Sequence, residues 1–85
     1  MKKINDWYVY VAECADTTLY TGVAKDVAKR IDEHNAGNKC KYTRSRRPVK
    51  SVYKERHPGK GSALKREAEI KKLTREEKLI LIGGD

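Results

Sequence analysis

The feature that most constrains the fold is a pair of short runs rich in aromatic and β-branched residues near the N-terminus. Residues 7–14 read WYVYVAEC and residues 19–24 read LYTGVA, with the turn-forming tetrapeptide ADTT between them. Two such runs joined by a short polar turn predict an antiparallel β-hairpin. Asp26 follows as a helix N-cap, and the Ala-Gly pair after Asn35 ends the helix that it begins.

The rest of the chain supplies one further strand and two further helices. Residues 49–55 (VKSVYKE) predict a strand, and residues 62–73 predict a helix. Thr74 and Glu77 form a capping box for a short final helix, REEKLILI. We therefore expect one α+β domain over residues 1–85, with a small three-stranded antiparallel sheet flanked by three helices.

Alternation along the predicted strands places side chains of the hairpin on shared faces. Tyr8 and Tyr10 point to one side of the first strand, and Tyr20 and Gly22 share a face of the second. The register of the hairpin decides whether the two tyrosine faces coincide, and the short turn leaves that register open. Each tyrosine by itself is equally an ordinary strand residue with a buried ring and a solvated hydroxyl.

Positive charge is concentrated in one part of the chain. The net charge is +8, and residues 38–60, the basic segment, contain nine Lys and Arg residues but only one acidic residue, Glu55. This excess, with Tyr42 interleaved, favours a surface that binds nucleic-acid phosphates. The alternative is a solvated loop that keeps the protein soluble. An anionic membrane surface is less suitable, because no amphipathic insertion helix accompanies the charge.

Two polar residues of the first predicted helix form a candidate site. Arg30 and His34 are four residues apart, so they lie on one face of the helix. Val27 precedes Arg30 by three residues, which places this face at the border of the buried stripe. Arg30 and His34 therefore either face a groove beside the strand that carries Tyr20 or have only structural roles. In the structural case, Arg30 pairs with Glu33 or Asp26 and His34 interacts with the helix dipole.

Glu67 lies within the predicted apolar stripe of the helix over residues 62–73. The apolar members of that stripe are Ala63, Leu64, Ala68, Ile70 and Leu73. An ionised carboxylate in such a position is costly unless it is paired or bound to a cation. Glu67 is therefore either in a salt bridge with Arg30 or a lysine, or a single carboxylate ligand of Mg²⁺.

Several classes of protein are disfavoured by the sequence. No run approaches the roughly 20 apolar residues of a membrane span, and the N-terminal residues lack the apolar core of an export signal. Cys14 and Cys40 match no metal-binding spacing. We expect them to be reduced thiols in a cytoplasmic protein.

These motifs, in this order and spacing, resemble the GIY-YIG nuclease domain. Residues 8–10 (YVY) stand where that family has Gly-Ile-Tyr, and residues 20–22 (YTG) stand where it has Tyr-Ile-Gly. The family's arginine lies ten residues after the tyrosine of the second motif, here at Arg30, and a histidine or tyrosine follows four residues later, here His34. The sequence ALKRE places the family's metal-binding glutamate at Glu67. The similarity is to the short stand-alone bacterial members and covers nearly the whole chain.

The resemblance implies a metal-dependent endonuclease that hydrolyses phosphodiester bonds in DNA, with structure-selective or weakly sequence-specific cleavage and a role in DNA repair or recombination. Glu67 would hold one divalent ion, Mg²⁺ or Mn²⁺, and Arg30 would clamp the same phosphate. Tyr20 would orient or deprotonate the attacking water, Tyr10 would position that water or Tyr20 by hydrogen bonding, and His34 would relay the proton or bind phosphate. The residues expected to hold the nucleic-acid backbone are Lys25, Lys39, Lys41, Tyr42, Arg44, Arg46 and Arg47.

Two other interpretations remain open from the sequence. The same scaffold is suited to binding DNA or RNA through the basic segment without hydrolysing it. A third interpretation is an interaction domain that acts only with a larger protein partner, which supplies the choice of target.

Overall fold

The computed structural model describes residues 6–83, so the first five and last two residues of the predicted domain lie outside the described part. The strands are β1 (Trp7–Glu13), β2 (Leu19–Ala24) and β3 (Lys50–His57). The helices are α1 (Val27–Asn35), α2 (Lys41–Arg44), α3 (Lys60–Lys71) and α4 (Arg75–Gly83). Within residues 6–83, no helix has the length and apolar character needed to cross a membrane.

β1 is the central strand of the sheet, with β2 and β3 antiparallel on either side. The register between β1 and β2 pairs Tyr10 with Gly22 and Ala12 with Tyr20. Residues paired directly across an antiparallel ladder point to the same face of the sheet. The tyrosine faces of the two strands therefore coincide. The short turn left this question open, and the observed register answers it.

Both faces of β1 are buried, but different helices cover them. On one side, here the α1 face, the core contains Tyr10 and Ala12, with Val27 of α1 packed against them. On the other side, here the α3 face, the buried core residues are Val9, Val11, Ala63 and Ile70. Leu81 and Ile82 of α4 pack against the α3 face from outside. The alternation predicted for β1 is confirmed.

The local cap signals of the sequence are also confirmed. The Asp26 carboxylate accepts a hydrogen bond from the Lys29 backbone N–H at 3.1 Å. In the capping box, the Thr74 hydroxyl accepts from the Glu77 N–H at 3.1 Å, and the Glu77 carboxylate accepts from the Thr74 N–H at 2.9 Å. These bonds satisfy backbone donors that a helix N-terminus leaves without partners.

The fold class is confirmed, with one helix more than the sequence predicted. α2 is a single turn inside the stretch expected to be a loop, closed by a hydrogen bond from the Arg44 N–H to the Cys40 carbonyl at 3.0 Å. A turn this short has no stable helical propensity of its own, and it forms around the buried side chain of Thr43. α3 begins at Lys60 rather than at Ser62, with Gly59 as its N-cap.

The rotation of α3 about its axis is set by two kinds of contact. Ala63 and Ile70, seven residues apart on one line of the helix, have no exposed surface. The Arg66 guanidinium donates from Nε to Glu55 of β3 at 2.8 Å. The helix therefore meets the sheet along a narrow line, and the broad predicted stripe is wrong in part. The predicted stripe residues that lie exposed are Leu64 and Ala68.

Candidate active site

Gly22 allows the phenol of Tyr10 to lie directly over the neighbouring strand. A Cβ atom built on Gly22 would stand 2.7 Å from the Tyr10 hydroxyl oxygen and 2.8 Å from its Cζ. Both distances are shorter than real Cβ contacts allow, so any other residue would displace the ring. The glycine of the second motif is therefore required for close approach of a side chain, and the register of the hairpin makes it necessary.

A buried chain of hydrogen bonds joins Tyr10 to the basic segment through α1. The Tyr10 hydroxyl lies 2.9 Å from Nε2 of His34, and Nδ1 of His34 lies 2.8 Å from Oγ1 of Thr43. The Thr43 hydroxyl donates to the Cys40 carbonyl at 3.3 Å, so we assign it as the acceptor from the His34 Nδ1–H. Nε2 of His34 is then the acceptor for the Tyr10 hydroxyl. Tyr10, His34 and Thr43 are each at most 2% exposed.

Burial fixes the protonation states of this chain. The pKa of Tyr10 lies well above its ordinary value because the phenol is buried, with Tyr20 adding to the shift and Arg30 opposing it. The pKa of His34 is lowered by burial and then by the positive charges of Arg30 and Lys39. Tyr10 is therefore protonated and His34 neutral near pH 7, as the assigned hydrogen bonds require.

Tyr20 is half-buried at the centre of an aromatic group beside this chain. Its ring centroid is 5.2 Å from that of His34, 6.4 Å from that of Tyr10 and 6.0 Å from that of Tyr42. Burial raises its pKa, Cys40 and Glu67 raise it further, and Arg30 lowers it. The Glu67 carboxylate therefore lies within electrostatic reach of the Tyr20 phenol.

Arg30 lies beside both phenols and is held from two sides. Its Nη1 donates to the Val23 carbonyl of β2 at 3.2 Å, and its Nε is 3.2 Å from Glu33 Oε1. The side chain keeps 34% of its surface exposed. The pairing with Glu33, one of the structural alternatives for Arg30, is confirmed. The strand-side hydrogen bond nevertheless keeps the guanidinium at the border of the tyrosine group.

Glu67 is only 18% exposed, and its Oε2 lies 3.5 Å from Nζ of Lys71. The expected salt bridge to a lysine is therefore present. Within residues 6–83, no group of three or more His, Cys, Asp or Glu side chains is arranged to hold a metal ion. A lone carboxylate fits Mg²⁺ or Mn²⁺, because such ions keep waters and share their sites with substrate phosphates. It does not fit a site built wholly from protein ligands.

The predicted nucleic-acid-binding residues lie in two kinds of environment. Arg46 is held at 3.0 Å by Asp16 and stacks 4.0 Å from the Tyr42 ring centroid. Arg47 donates to backbone carbonyls of Arg44 and Asn35, and so organises the segment around α2. The exposed members of the predicted set are Lys25, Lys39, Lys41, Tyr42, Arg44 and Arg47. A role in binding stays a prediction for all seven residues.

Three residues that organise the site are absent from the sequence prediction. Thr43 completes the buried chain, and the Cys40 thiol lies 3.5 Å from the Thr43 hydroxyl. The Asn35 side chain accepts from the Val49 N–H at 2.7 Å and donates to the Val49 carbonyl at 3.0 Å. Asn35 thereby ties the end of α1 to the start of β3. Nothing in the local pattern marks these residues, because Thr43 and Cys40 stand among charged neighbours and Asn35 resembles a helix end.

The sequence of residues 6–79 matches the family model described as the GIY-YIG catalytic domain. A UPF0213 protein of Staphylococcus aureus is 55% identical over 75 residues, which cover 88% of this chain and 92% of that protein. The solution NMR structure of a UPF0213 protein from Bacillus halodurans is 41% identical with a TM-score of 0.59, covering 92% of this chain and 83% of that one. A solution NMR structure of a protein from E. faecalis is 34% identical with a TM-score of 0.61, covering 95% of this chain and 88% of that one.

Proposed function

The chain belongs to the GIY-YIG catalytic-domain family, and from that premise we propose that it is a metal-dependent endonuclease that hydrolyses phosphodiester bonds in DNA. The observation that carries the proposal is the convergence of Tyr10, Tyr20, Arg30 and His34 from two strands and a helix. Glu67 approaches the same group from α3, within electrostatic reach of Tyr20.

Arg30 is proposed to clamp the scissile phosphate. A guanidinium stays charged at any working pH and matches two phosphate oxygens in a bidentate geometry. Its pairing with Glu33 is partly exposed, so a phosphate can compete for the guanidinium at little cost. The hydrogen bond to the Val23 carbonyl limits where the guanidinium can lie when the substrate arrives.

Tyr20 is proposed to orient the attacking water. Its raised pKa means that it is a neutral phenol in the free protein, able to hold water by donating or accepting a hydrogen bond. Because the Glu67 carboxylate contributes to that shift, neutralising Glu67 lowers the cost of removing the phenolic proton. Tyr10 donates to His34 and is only 1% exposed, so its phenol oxygen is proposed to position Arg30, which interacts with it.

His34 is proposed to act through its hydrogen bond to Tyr10 rather than by contacting the phosphate. It is only 2% exposed, which keeps it from direct contact with a substrate while Tyr10 and Thr43 hold it. Its neutral imidazole accepts a hydrogen bond from the Tyr10 hydroxyl and fixes the phenol in one orientation. This favours the relay role over the phosphate-binding role that the sequence left open.

Glu67 is the residue proposed to hold Mg²⁺ or Mn²⁺. When bound, the metal ion would neutralise negative charge on the phosphate oxygens and on the leaving 3′ oxygen. The basic segment is proposed to hold the DNA backbone, which gives affinity and salt sensitivity without sequence choice. We expect weakly sequence-specific or structure-selective cleavage, because the side chains proposed to bind DNA would contact phosphates, which carry no sequence information.

The test is nicking of supercoiled plasmid and of branched DNA with added Mg²⁺ or Mn²⁺. Glu67→Gln and Arg30→Ala should each lower the rate at least about a hundredfold, the scale for losing one group that stabilises developing charge. Glu69→Gln and Arg75→Ala are matched controls, since they remove the same charges from exposed positions on α3 and α4. Absence of cleavage by the purified protein, or equal rates for all four variants, would defeat the proposal.

A binding module without hydrolytic activity is the second candidate. The pairing of Glu67 with Lys71 favours it, because a carboxylate already neutralised by a lysine has less need of a metal ion. Salt-dependent DNA or RNA binding with no metal-dependent cleavage in the same assay would select this candidate.

A further inference from the structure

Trp7 lines a concavity beside the proposed active site. The cavity has a volume of about 280 Å³, and its wall includes Trp7, Lys25, Arg30 and Lys39. This is close to the lower limit of about 300 Å³ for small-ligand sites, which suits a single nucleobase or nucleotide. Since Arg30 belongs both to this wall and to the tyrosine group, the cavity adjoins the proposed active site.

The indole of Trp7 contacts both the apolar core and two lysine ammonium groups, which lie over its ring. It packs against the core of the α3 face and remains only partly buried. The ammonium groups of Lys25 and Lys60 lie 5.5 Å and 5.3 Å from the ring centroid. A partly buried aromatic ring with two ammonium groups over it can bind a base and its phosphates together, once the base takes the place of the lysines over the ring.

The acidic residues of the same wall are already engaged by other groups. Asp26 caps α1 through the Lys29 N–H, and Glu33 lies 3.2 Å from Arg30 and 3.3 Å from Lys39. The wall holds four basic residues, Lys25, Lys29, Arg30 and Lys39, against these two acidic ones, so the concavity retains an excess of positive charge. An anionic ligand with an aromatic portion matches it better than a neutral or cationic one.

We propose that Trp7, Lys25 and Lys60 form a binding site for an unpaired nucleotide adjacent to the phosphate held by Arg30; its catalytic use rests on the proposed nuclease function. Inside a duplex, neighbouring bases cover both faces of every base, so the indole stacks only on a base that is single-stranded or displaced. A stacked base brings its own phosphates to Lys25 and Lys60, which exchange their contacts with the ring for charge-assisted ones. The substrates are then overhangs, flaps, gaps or single strands rather than intact duplex.

Tryptophan fluorescence tests this site directly, because Trp7 is the sole tryptophan of the chain. The full-length protein is titrated without added metal, so that no cleavage accompanies binding. The probes are a short single-stranded deoxyribo-oligonucleotide, its blunt duplex, and the same strand with abasic positions. We expect the single strand to quench the fluorescence strongly, and the duplex and the abasic strand to quench it weakly.

Variants separate stacking on Trp7 from general attraction, with binding followed by the anisotropy of a labelled oligonucleotide. Trp7→Leu should weaken single-strand binding roughly tenfold, and Trp7→Phe should retain most of it. Lys60→Gln should weaken binding a few-fold more than Lys65→Gln, which removes the same charge from an exposed position of α3. Unlike the Trp7 variants, the lysine variants leave the packing of the core intact.

The outcomes distinguish this site from the nuclease proposal. Quenching without any cleavage supports the nucleotide site and contradicts the proposed nuclease function. Cleavage without quenching overturns the nucleotide site alone. The site is also overturned if Trp7→Leu binds single strands as well as the unaltered protein while Tyr42→Leu does not, because stacking then occurs on the basic segment.

Discussion

The two faces of the central strand are closed to solvent to the same degree, yet different forces hold them. On the α3 face, Val9 and Val11 meet Ile70 in a wholly hydrocarbon contact. On the α1 face, Tyr10 is equally buried but takes part in a hydrogen-bonded chain through His34 to the basic segment. The apolar face contributes stability through packing, whereas on the polar face the position of each side chain depends on its hydrogen-bond partners.

This difference explains how partly exposed side chains of the proposed active site are held in defined positions. Tyr20 and Arg30 are partly exposed, but each lies against a residue of the buried polar chain or against strand backbone. Buried and fully bonded polar groups have few alternative arrangements. The polar face is therefore expected to control activity, and the apolar face to control the free energy of unfolding.

The largest effect should come from the apolar face. Ile70→Ala should lower the free energy of unfolding by about 2–5 kcal/mol, the range for a buried Leu or Ile truncated to Ala. Denaturant unfolding measures the change, with Leu64→Ala as the control because Leu64 is 42% exposed on the same helix. The rate of DNA cleavage per folded molecule should change little. A large loss of that rate in Ile70→Ala would break the proposed separation of the two faces.

Gly22→Ala tests the polar face through a single methyl group. The added Cβ would displace the Tyr10 phenol and should lower the cleavage rate about a hundredfold, as misplacement of a positioning group by about 1 Å does. Gly61→Ala is the matched control, because a Cβ built there meets no atom within 4 Å. Equal cleavage rates in the two variants would show that the approach of Tyr10 to β2 is irrelevant to the chemistry.

Thr43→Val and Thr43→Ser sharpen the comparison within the polar chain. Valine leaves the His34 Nδ1–H without an acceptor and should cost about 1–3 kcal/mol of unfolding free energy. Serine keeps the hydroxyl and should restore most of that stability. The nitrogen chemical shifts of His34 measured by NMR should report the Nδ1–H tautomer in the unaltered protein and in Thr43→Ser. A different tautomer in the unaltered protein contradicts the assigned hydrogen bonds.

The smallest effect should be a dependence of stability on pH. Because the pKa of His34 is lowered in the folded protein from its ordinary 6.5, the unfolded chain binds more protons as the pH falls below that value. The contribution of His34 to stability is therefore complete above pH 6.5 and declines as the pH falls towards the folded-state pKa. The carboxyl groups with lowered pKa, Asp16, Glu33 and Glu55, titrate at lower pH.

Thermal melts between about pH 7.5 and 5.5 measure this decline. His34→Gln should flatten the melting temperature over that interval. If His34→Gln declines as steeply as the unaltered protein, the dependence belongs to another group.

Elements governed by neighbours along the chain were predictable from sequence. The hairpin, the Asp26 cap and the Thr74–Glu77 capping box all depend on contacts within a few residues. The order and spacing of the motif residues predicted the family, which the comparisons confirm. The apolar stripe of α3 was predicted too broadly, because a 3.6-residue period identifies a candidate face but not how much of it the sheet covers.

The sequence by itself determined the alternation of β1, the caps at Asp26 and Thr74 and the set of side chains available for chemistry, since each depends on local backbone geometry or on residue type. Only the tertiary structure decided that Tyr10 lies over Gly22, that α2 forms, and that Thr43 completes the buried chain. The physical reason is distance along the chain: Tyr10 and His34 are 24 residues apart, and His34 and Thr43 are 9 apart. Strand register and helix rotation decide such contacts, and a one-residue slip would turn every side chain to the opposite face.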